Sequence, residues 1–158
     1  NSATSCGHES KPASRAMASC ASASRGGRVS GAASERTARS RAIAGLSMGG
    51  GQTQRVLATH PDAFAWVAIW SAGVRPEGTE AFEKEAASFL AAPEKANASI
   101  RLLSIRAGEK DFALPGCRNL DELLTKHKIE HELQVNGGGH TWINWRLYLR
   151  ELLPLLFR

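Results

Sequence analysis

The chain is poor in cysteine: Cys6, Cys20 and Cys117 are the only three in 158 residues, and no CxxC spacing occurs. Neither a disulfide framework nor a structural zinc site is expected from an odd count so placed. Long apolar runs are missing as well. None approaches the roughly 18 uninterrupted apolar residues of a membrane-spanning helix, so no membrane partner is expected. The opening 30 residues lack the apolar segment of a secretory signal, which runs to about 7–15 residues. No export signal is read in this chain, and cytoplasmic and secreted locations both stay open. Aromatic residues make up 6% of the sequence, and none falls in residues 1–40.

Those 40 residues also lack large aliphatic side chains, except Met17 and Val29, and consist mostly of Ser, Ala, Arg and Gly. Such a segment buries too little apolar surface to offset its ordering entropy, so a low-complexity, disordered tail is expected over 1–40. The tail carries Lys11, Arg15, Arg25, Arg28, Arg36 and Arg39 against Glu9 and Glu35, which is most of the chain's net charge of +5. Basicity spread along a tail without aromatics or helical periodicity favours solvation, with at most weak adhesion to polyanions. Specific nucleic-acid binding is not expected. The working domain is read as residues 41–158, one domain by length.

From Arg41 the pattern changes. Ala42–Leu46 is a short apolar run of the kind a buried parallel strand shows. After the glycines at 49–51, Gln52 to His60 reads as a helix with Val56 and Leu57 inward, stopped by Pro61. Residues 64–70 (FAWVAIW) form a second strand, rich in aromatic and β-branched side chains. Residues 79–91 read as an amphipathic helix with Phe82, Ala86 and Phe89 or Leu90 inward. Ile100 to Ile105 is a third strand, and residues 119–128 a helix with Leu120, Leu123 and Leu124 at core spacing. A fourth strand covers 131–135, and residues 142–157 a closing helix with Trp145, Leu149, Leu152 and Leu153 inward and a kink at Pro154. Repeated strand–helix units predict an α/β fold: a parallel sheet of about four strands, right-handed crossovers, helices on both faces. In such sheets function gathers beyond the carboxyl ends of the strands, which selects the loops 47–51, 107–116 and 136–142.

The first of these loops holds Gly45-Leu46-Ser47-Met48-Gly49, a G-x-S-x-G between a strand and a helix. A nucleophile on so tight a turn is strained, and small residues two before and two after it let the chain pack. Its hydroxyl then stands above the sheet, where the helix N-terminus favours a developing anion. The N–H of Met48 is the expected first oxyanion donor.

A serine hydroxyl needs an adjacent base near neutral pH. His140, in the glycine-rich loop after the last strand, is the best placed of five histidines. His8 lies in the tail, His60 ends a helix behind the nucleophile turn, and His127 and His131 flank a turn at the opposite end of the sheet. The acid that fixes the imidazole tautomer should come from the loop after the third strand, following the order Ser, Asp, His. Asp111 is the candidate there and Glu109 the fallback. Asp121 and Glu122 read as solvated helix charges.

Arg41 to Thr53 (RAIAGLSMGGGQT), with Gly137-Gly138-Gly139-His140-Thr141-Trp142 and Trp145-Arg146, resembles the esterase D-like branch of the α/β-hydrolases. Within it, the resemblance is to the feruloyl and acetyl-xylan esterases of carbohydrate esterase family 1, and it spans about Arg41 to Phe157. It implies a serine esterase with Ser47, Asp111 and His140 as the triad, no metal or organic cofactor, and a small-molecule ester as substrate. It also implies that Trp142 lines the substrate cleft, whereas Trp145 reads as core. The complete family fold has further strands ahead of the nucleophile, which supply a second oxyanion N–H. Residues 1–40 contain no strand-like run, so the match is to the C-terminal half. Weak activity is expected, together with homo-oligomerisation through the edge at Ala42–Leu46. The rival readings are a thioester hydrolase of the S-formylglutathione type, a siderophore-ester hydrolase, and an inactive fragment serving as a binding or structural domain.

Overall fold

A computed structural model of the chain describes residues 37–158. Cys6, Cys20, His8 and all but the last four residues of the expected tail lie outside the described residues. Ala38–Ser40 makes one 3-10 turn, and the Ala38 carbonyl accepts from the N–H of Ala65 at 3.0 Å.

The ordered elements are β1 (Ala42–Leu46), α1 (Met48–Thr59), β2 (Trp66–Trp70), α2 (Thr79–Glu85), α3 (Ala87–Leu90) and α4 (Pro93–Ser99). They are followed by β3 (Leu102–Gly108), α5 (Leu114–Lys126), β4 (Glu132–Asn136) and α6 (Trp142–Leu152). The four strands form one parallel sheet in the order β1-β2-β3-β4. The α/β architecture expected from alternating strands and helices is the one observed.

The sheet is in step across its width. Leu46 pairs with Trp70, Trp70 with Arg106, and Gly108 with Asn136. The carboxyl ends therefore lie along one edge, with β1 and β2 ending level with Arg106 and β3 and β4 running on to Gly108 and Asn136.

The two faces are covered unequally. Val67, Ile69, Leu103, Ile105 and Ala107 point to one side, where they pack with Leu57 of α1, Phe82, Phe89 and Leu90 of α2 and α3, and Leu120, Leu123 and Leu124 of α5. Alternate residues Ala68 and Trp70 point to the other, against Trp145, Tyr148 and Leu152 of α6, with Leu156 beyond it packed on the same cluster. Along a strand successive side chains change face, so one apolar run such as WVAIW serves both cores. β3 breaks the apolar pattern on the α6 side with Ser104 and Arg106, both buried. The Arg106 guanidinium pairs with Glu151, lies 3.9 Å from Glu132, and stands 5.8 Å from the centre of the Tyr148 ring.

Several expected boundaries move. The first helix begins at Met48, four residues before Gln52, so all three glycines are helical. The expected helix 79–91 is two pieces broken at Ala86, and α4 has no counterpart among the expected elements. β3 runs on to Gly108, and α5 starts at Leu114 with Pro115 in its first turn. Proline fits there because the N–H it lacks has no partner inside a helix anyway. The last helix ends at Leu152, and Pro154 belongs to a 3-10 turn, Leu153–Leu155. On α6 the inward positions are Trp145, Tyr148 and Leu152, whereas Leu149 and Leu153 are exposed. Among the described residues no helix is long and apolar enough to cross a membrane.

Candidate active site

Ser47 follows β1 directly and precedes α1, with φ 52° and ψ −121°. A non-glycine residue at positive φ is strained, and here the hydrogen bonds on either side hold it. Its N–H donates to Trp70 O at 2.9 Å, and its carbonyl accepts from the Gly51 N–H at 3.1 Å. The steric demand on the neighbours differs from the expected one. A Cβ on Gly45 would stand 2.1 Å from Gly49 O, and one on Gly50 would stand 2.6 Å from Ala72 Cβ. A Cβ on Gly49 would meet nothing within 4 Å, so the small residue two after Ser47 is not imposed by packing.

His140 lies in the loop between β4 and α6, and its Nε2 is 2.9 Å from Ser47 Oγ. Its Nδ1 is 2.9 Å from Asp111 Oδ1. The same carboxylate oxygen accepts from the Ala113 N–H at 2.8 Å. Asp111, which is buried, sits between β3 and α5. Burial alone would push its carboxyl up, but the Ser71 hydroxyl, the Ala113 N–H and His140 outweigh that and hold it below its ordinary value. An ionised carboxylate can only accept, so His140 Nδ1 carries the proton and donates it to Asp111. In the neutral ring Nε2 is then an acceptor, and the Ser47 O–H donates to it.

The three candidates thus meet across sequence separations of 93 and 29 residues. Met48 is the first residue of α1, a position whose N–H has no acceptor within the helix. Glu109 is exposed, and its backbone N–H is bound to Asn136 O. His60 contacts Thr59, His127 contacts Glu83 and His131 contacts Asp121, all apart from this group. Among the described residues, no group of three or more His, Cys, Asp or Glu is placed to hold a metal ion.

The imidazole is walled by aromatic rings: Phe112 at 4.3 Å between centroids and Trp145 edge-on at 5.0 Å. Trp142 packs on Trp145 at 5.2 Å and is 68% exposed. A cleft of about 510 Å³ opens beside Ser47, lined by Ala72, Arg75, Pro76, Phe112 and Pro115 among others. Trp142 is not on its wall.

Two contributors had no signal in the residue pattern. Asn144 is buried in α6, donates to Gly137 O at 3.0 Å and to the Tyr148 hydroxyl at 3.2 Å, and so ties the histidine loop to its helix. Ser71, beyond β2, accepts from Trp145 Nε1 at 2.8 Å.

A family model described as "Putative esterase" matches residues 30–156. The chain belongs to this esterase family, within the α/β-hydrolase superfamily. Among solved structures, a ferulic acid esterase is 27% identical with a TM-score of 0.62, over 77% of this chain and 52% of its own. An S-formylglutathione hydrolase from Staphylococcus aureus, 24% identical at TM-score 0.60, is matched over 78% of this chain and 53% of its own. The feruloyl esterase module from Clostridium thermocellum, 21% identical at TM-score 0.57, covers 73% and 44%. The last two likenesses speak to the fold. The chain spans about half the length of the esterase structures it matches.

Proposed function

We propose that this esterase-family chain hydrolyses small carboxylic esters through an acyl-enzyme formed on Ser47. The observation that carries the reading is the 2.9 Å contact between Ser47 Oγ and His140 Nε2, with the other ring nitrogen held by a buried carboxylate. As Ser47 Oγ attacks the ester carbonyl carbon, its proton passes to His140 Nε2. Asp111 stabilises the imidazolium that results. The carbonyl oxygen, now carrying the charge, is met by the Met48 N–H at the positive end of α1. The tetrahedral intermediate collapses, the alcohol oxygen takes the proton from Nε2, and the acyl group stays on Ser47. Water then attacks the acyl carbon, giving its proton to His140, and the carboxylic acid leaves as Ser47 regains its hydrogen.

Feruloylated or acetylated polysaccharide is the proposed natural substrate class, supported by the resemblance around the nucleophile and by the ferulic acid esterase likeness. Phe112, on the cleft wall and stacked near His140, offers an apolar surface for an aromatic acyl group. Trp142 is proposed as a second contact, through its exposed ring. We also propose that the chain self-associates, because β1 pairs only with β2 among the described residues and none of its side chains is fully buried.

Labelling with a fluorophosphonate, followed by mapping of the modified peptide, tests the activity. Modification at Ser47 that Ser47→Ala abolishes is the expected result, and folded protein that stays unlabelled would leave the inert-fragment reading standing. Turnover of methyl ferulate above S-formylglutathione is expected for the substrate class, and the reverse order assigns it to thioesters.

A further inference from the structure

At the carboxyl ends of the neighbouring strands β1 and β2 the backbone makes the same uncommon move twice. Ser47 has φ 52° and Ser71 φ 50°. Each is the first residue past its strand, and each N–H extends the parallel ladder, Ser47 to Trp70 O at 2.9 Å and Ser71 to Arg106 O at 2.7 Å. Backbone strain of this kind persists where the surroundings over-determine it, often at a functional site. For Ser47 the proposed nucleophile role accounts for it. For Ser71 nothing in the triad does.

Ser71 is 2% exposed, and its Oγ accepts from Trp145 Nε1–H at 2.8 Å. The tryptophan thus bonds to the oxygen and leaves the hydroxyl proton to point elsewhere. The same hydroxyl acts on the carboxyl of Asp111, whose Oδ1 is occupied by His140 and the Ala113 N–H. Its Oδ2 is buried and has no partner in good hydrogen-bond geometry. A buried carboxylate oxygen left without a donor is costly, and one hydroxyl turned a little further would satisfy it.

We propose that Ser71 is a positioning residue for the triad, its O–H aimed at Asp111 Oδ2 and its oxygen held by Trp145. The assignment rests on the esterase reading of Ser47, Asp111 and His140. One hydroxyl then links the two things that fix the imidazole: the carboxylate on Nδ1 and the Trp145 ring that packs edge-on at 5.0 Å. Trp145 Nε1–H donates to the Ser71 oxygen and the Ser71 O–H to Asp111, the carboxylate that also accepts from His140 Nδ1–H. The other titratable groups facing this carboxylate are Cys117, pushed up to about 11 by burial and then by the Asp111 charge, and Tyr148, raised by the same two causes. Arg106, on the Tyr148 ring, has its charge answered by Glu151.

Removing the Ser71 hydroxyl withdraws a donor that spreads the charge of Asp111, so the imidazolium gains stability relative to the wild type. Ser71→Ala deletes the group and keeps the strained φ. Ser71→Gly deletes it and relieves the strain, which separates the hydroxyl from the backbone and guards against a misfolded variant. Two readouts are taken on each: the titration of isotope-labelled His140 by NMR, and the pH profile of kcat and KM on p-nitrophenyl acetate. Both variants are expected to move the His140 midpoint and the acid limb to higher pH. A fall in kcat of about tenfold, the lower end of what losing a partner of a metal-ligating histidine costs, is expected with KM little changed. Trp145→Phe, which keeps a ring and loses the N–H, should move His140 in the same direction. A His140 titration identical to wild type in both Ser71 variants overturns the proposal. Were the wild-type protein to hydrolyse no ester and take no fluorophosphonate, the esterase reading would fall, while the NMR titration would still decide the role of Ser71.

Discussion

A Cβ on Gly45 would stand 2.1 Å from the carbonyl oxygen of Gly49 and 2.6 Å from Thr53 Oγ1. The end of β1 and the first turn of α1 are thus in backbone contact, and this contact lets the chain reverse at Ser47. Gly45→Ala forces apart two rigid elements, and overpacking of this kind costs typically about 1–3 kcal/mol or more. Gly50→Ala meets Ala72 Cβ at 2.6 Å and Trp70 O at 2.9 Å and should behave alike. Gly49 and Gly51 have open space, so alanine there should leave stability unchanged or raise it by up to about 1 kcal/mol through helix propensity. Urea denaturation of the four variants checks the order. Equal losses at 45 and 49 would remove the steric account.

Asp111 gives a pH dependence whose sign follows from its depressed folded-state pKa. A carboxylate held low contributes stability that is fully present above its unfolded value, near 3.8, and is lost as pH falls through the folded one. Glu83, lowered chiefly by Lys126 and His127, works in the same direction at the surface. Acid unfolding followed by circular dichroism should therefore show stability falling below about pH 4, with a shallower fall in Asp111→Asn. In activity, the amide of Asp111→Asn offers no carboxylate to fix the tautomer, and a loss in kcat on the order of 10⁴ is expected.

Much of this site is legible in the residues alone, for a physical reason. Buried parallel strands are continuous apolar runs, and FAWVAIW or IRLLSI cannot be solvated. A nucleophile turn needs a strand before it and a helix after it, so Ser47 stands out, and the chain order then points to Asp111 and His140. What stayed hidden depends on tertiary context. Three successive glycines read as a loop, yet they are helical because α1 starts straight from Ser47 and Gly50 packs on Ala72. Tyr148 and Leu149 have equal claims to the inward face by spacing, and the polar partners Asn144 and Arg106 on that side favour the tyrosine. Ser71 looks like an ordinary turn serine until its φ and its neighbours are known.

The buried guanidinium of Arg106 depends on α6 for its counter-charge. Glu151 pairs with it directly, while Glu132 is 3.9 Å away. Glu151→Ala leaves the cation with the longer Glu132 contact and a 3.4 Å hydrogen bond to Ser104 Oγ, and a buried group losing its charged partner costs about 1–3 kcal/mol. The replacement Glu151→Gln retains an acceptor and should lose less. Thermal melts of the two, compared with Arg106→Met, check this. Arg106→Met removes both the charge and its need for a partner, and should be the mildest of the three.

Asn144 clamps the histidine loop from below, donating to Gly137 O and the Tyr148 hydroxyl. Gly138, next in the loop, sits at φ 92°, and a Cβ there would stand 2.7 Å from Asn144 Oδ1, so the loop backbone lies against the amide. Asn144→Ala leaves the buried Tyr148 phenol, and with it the Gly137 carbonyl, short of a partner, at about 1–3 kcal/mol. Because His140 is two residues beyond Gly138, the loosened loop should also slow fluorophosphonate labelling of Ser47. Asn144→Asp is the sharper variant. It keeps the shape, places an acceptor against the Gly137 carbonyl and buries a charge, so it should lower both stability and labelling rate more than alanine does. If alanine and aspartate were equivalent, the amide would be filling space rather than holding the loop.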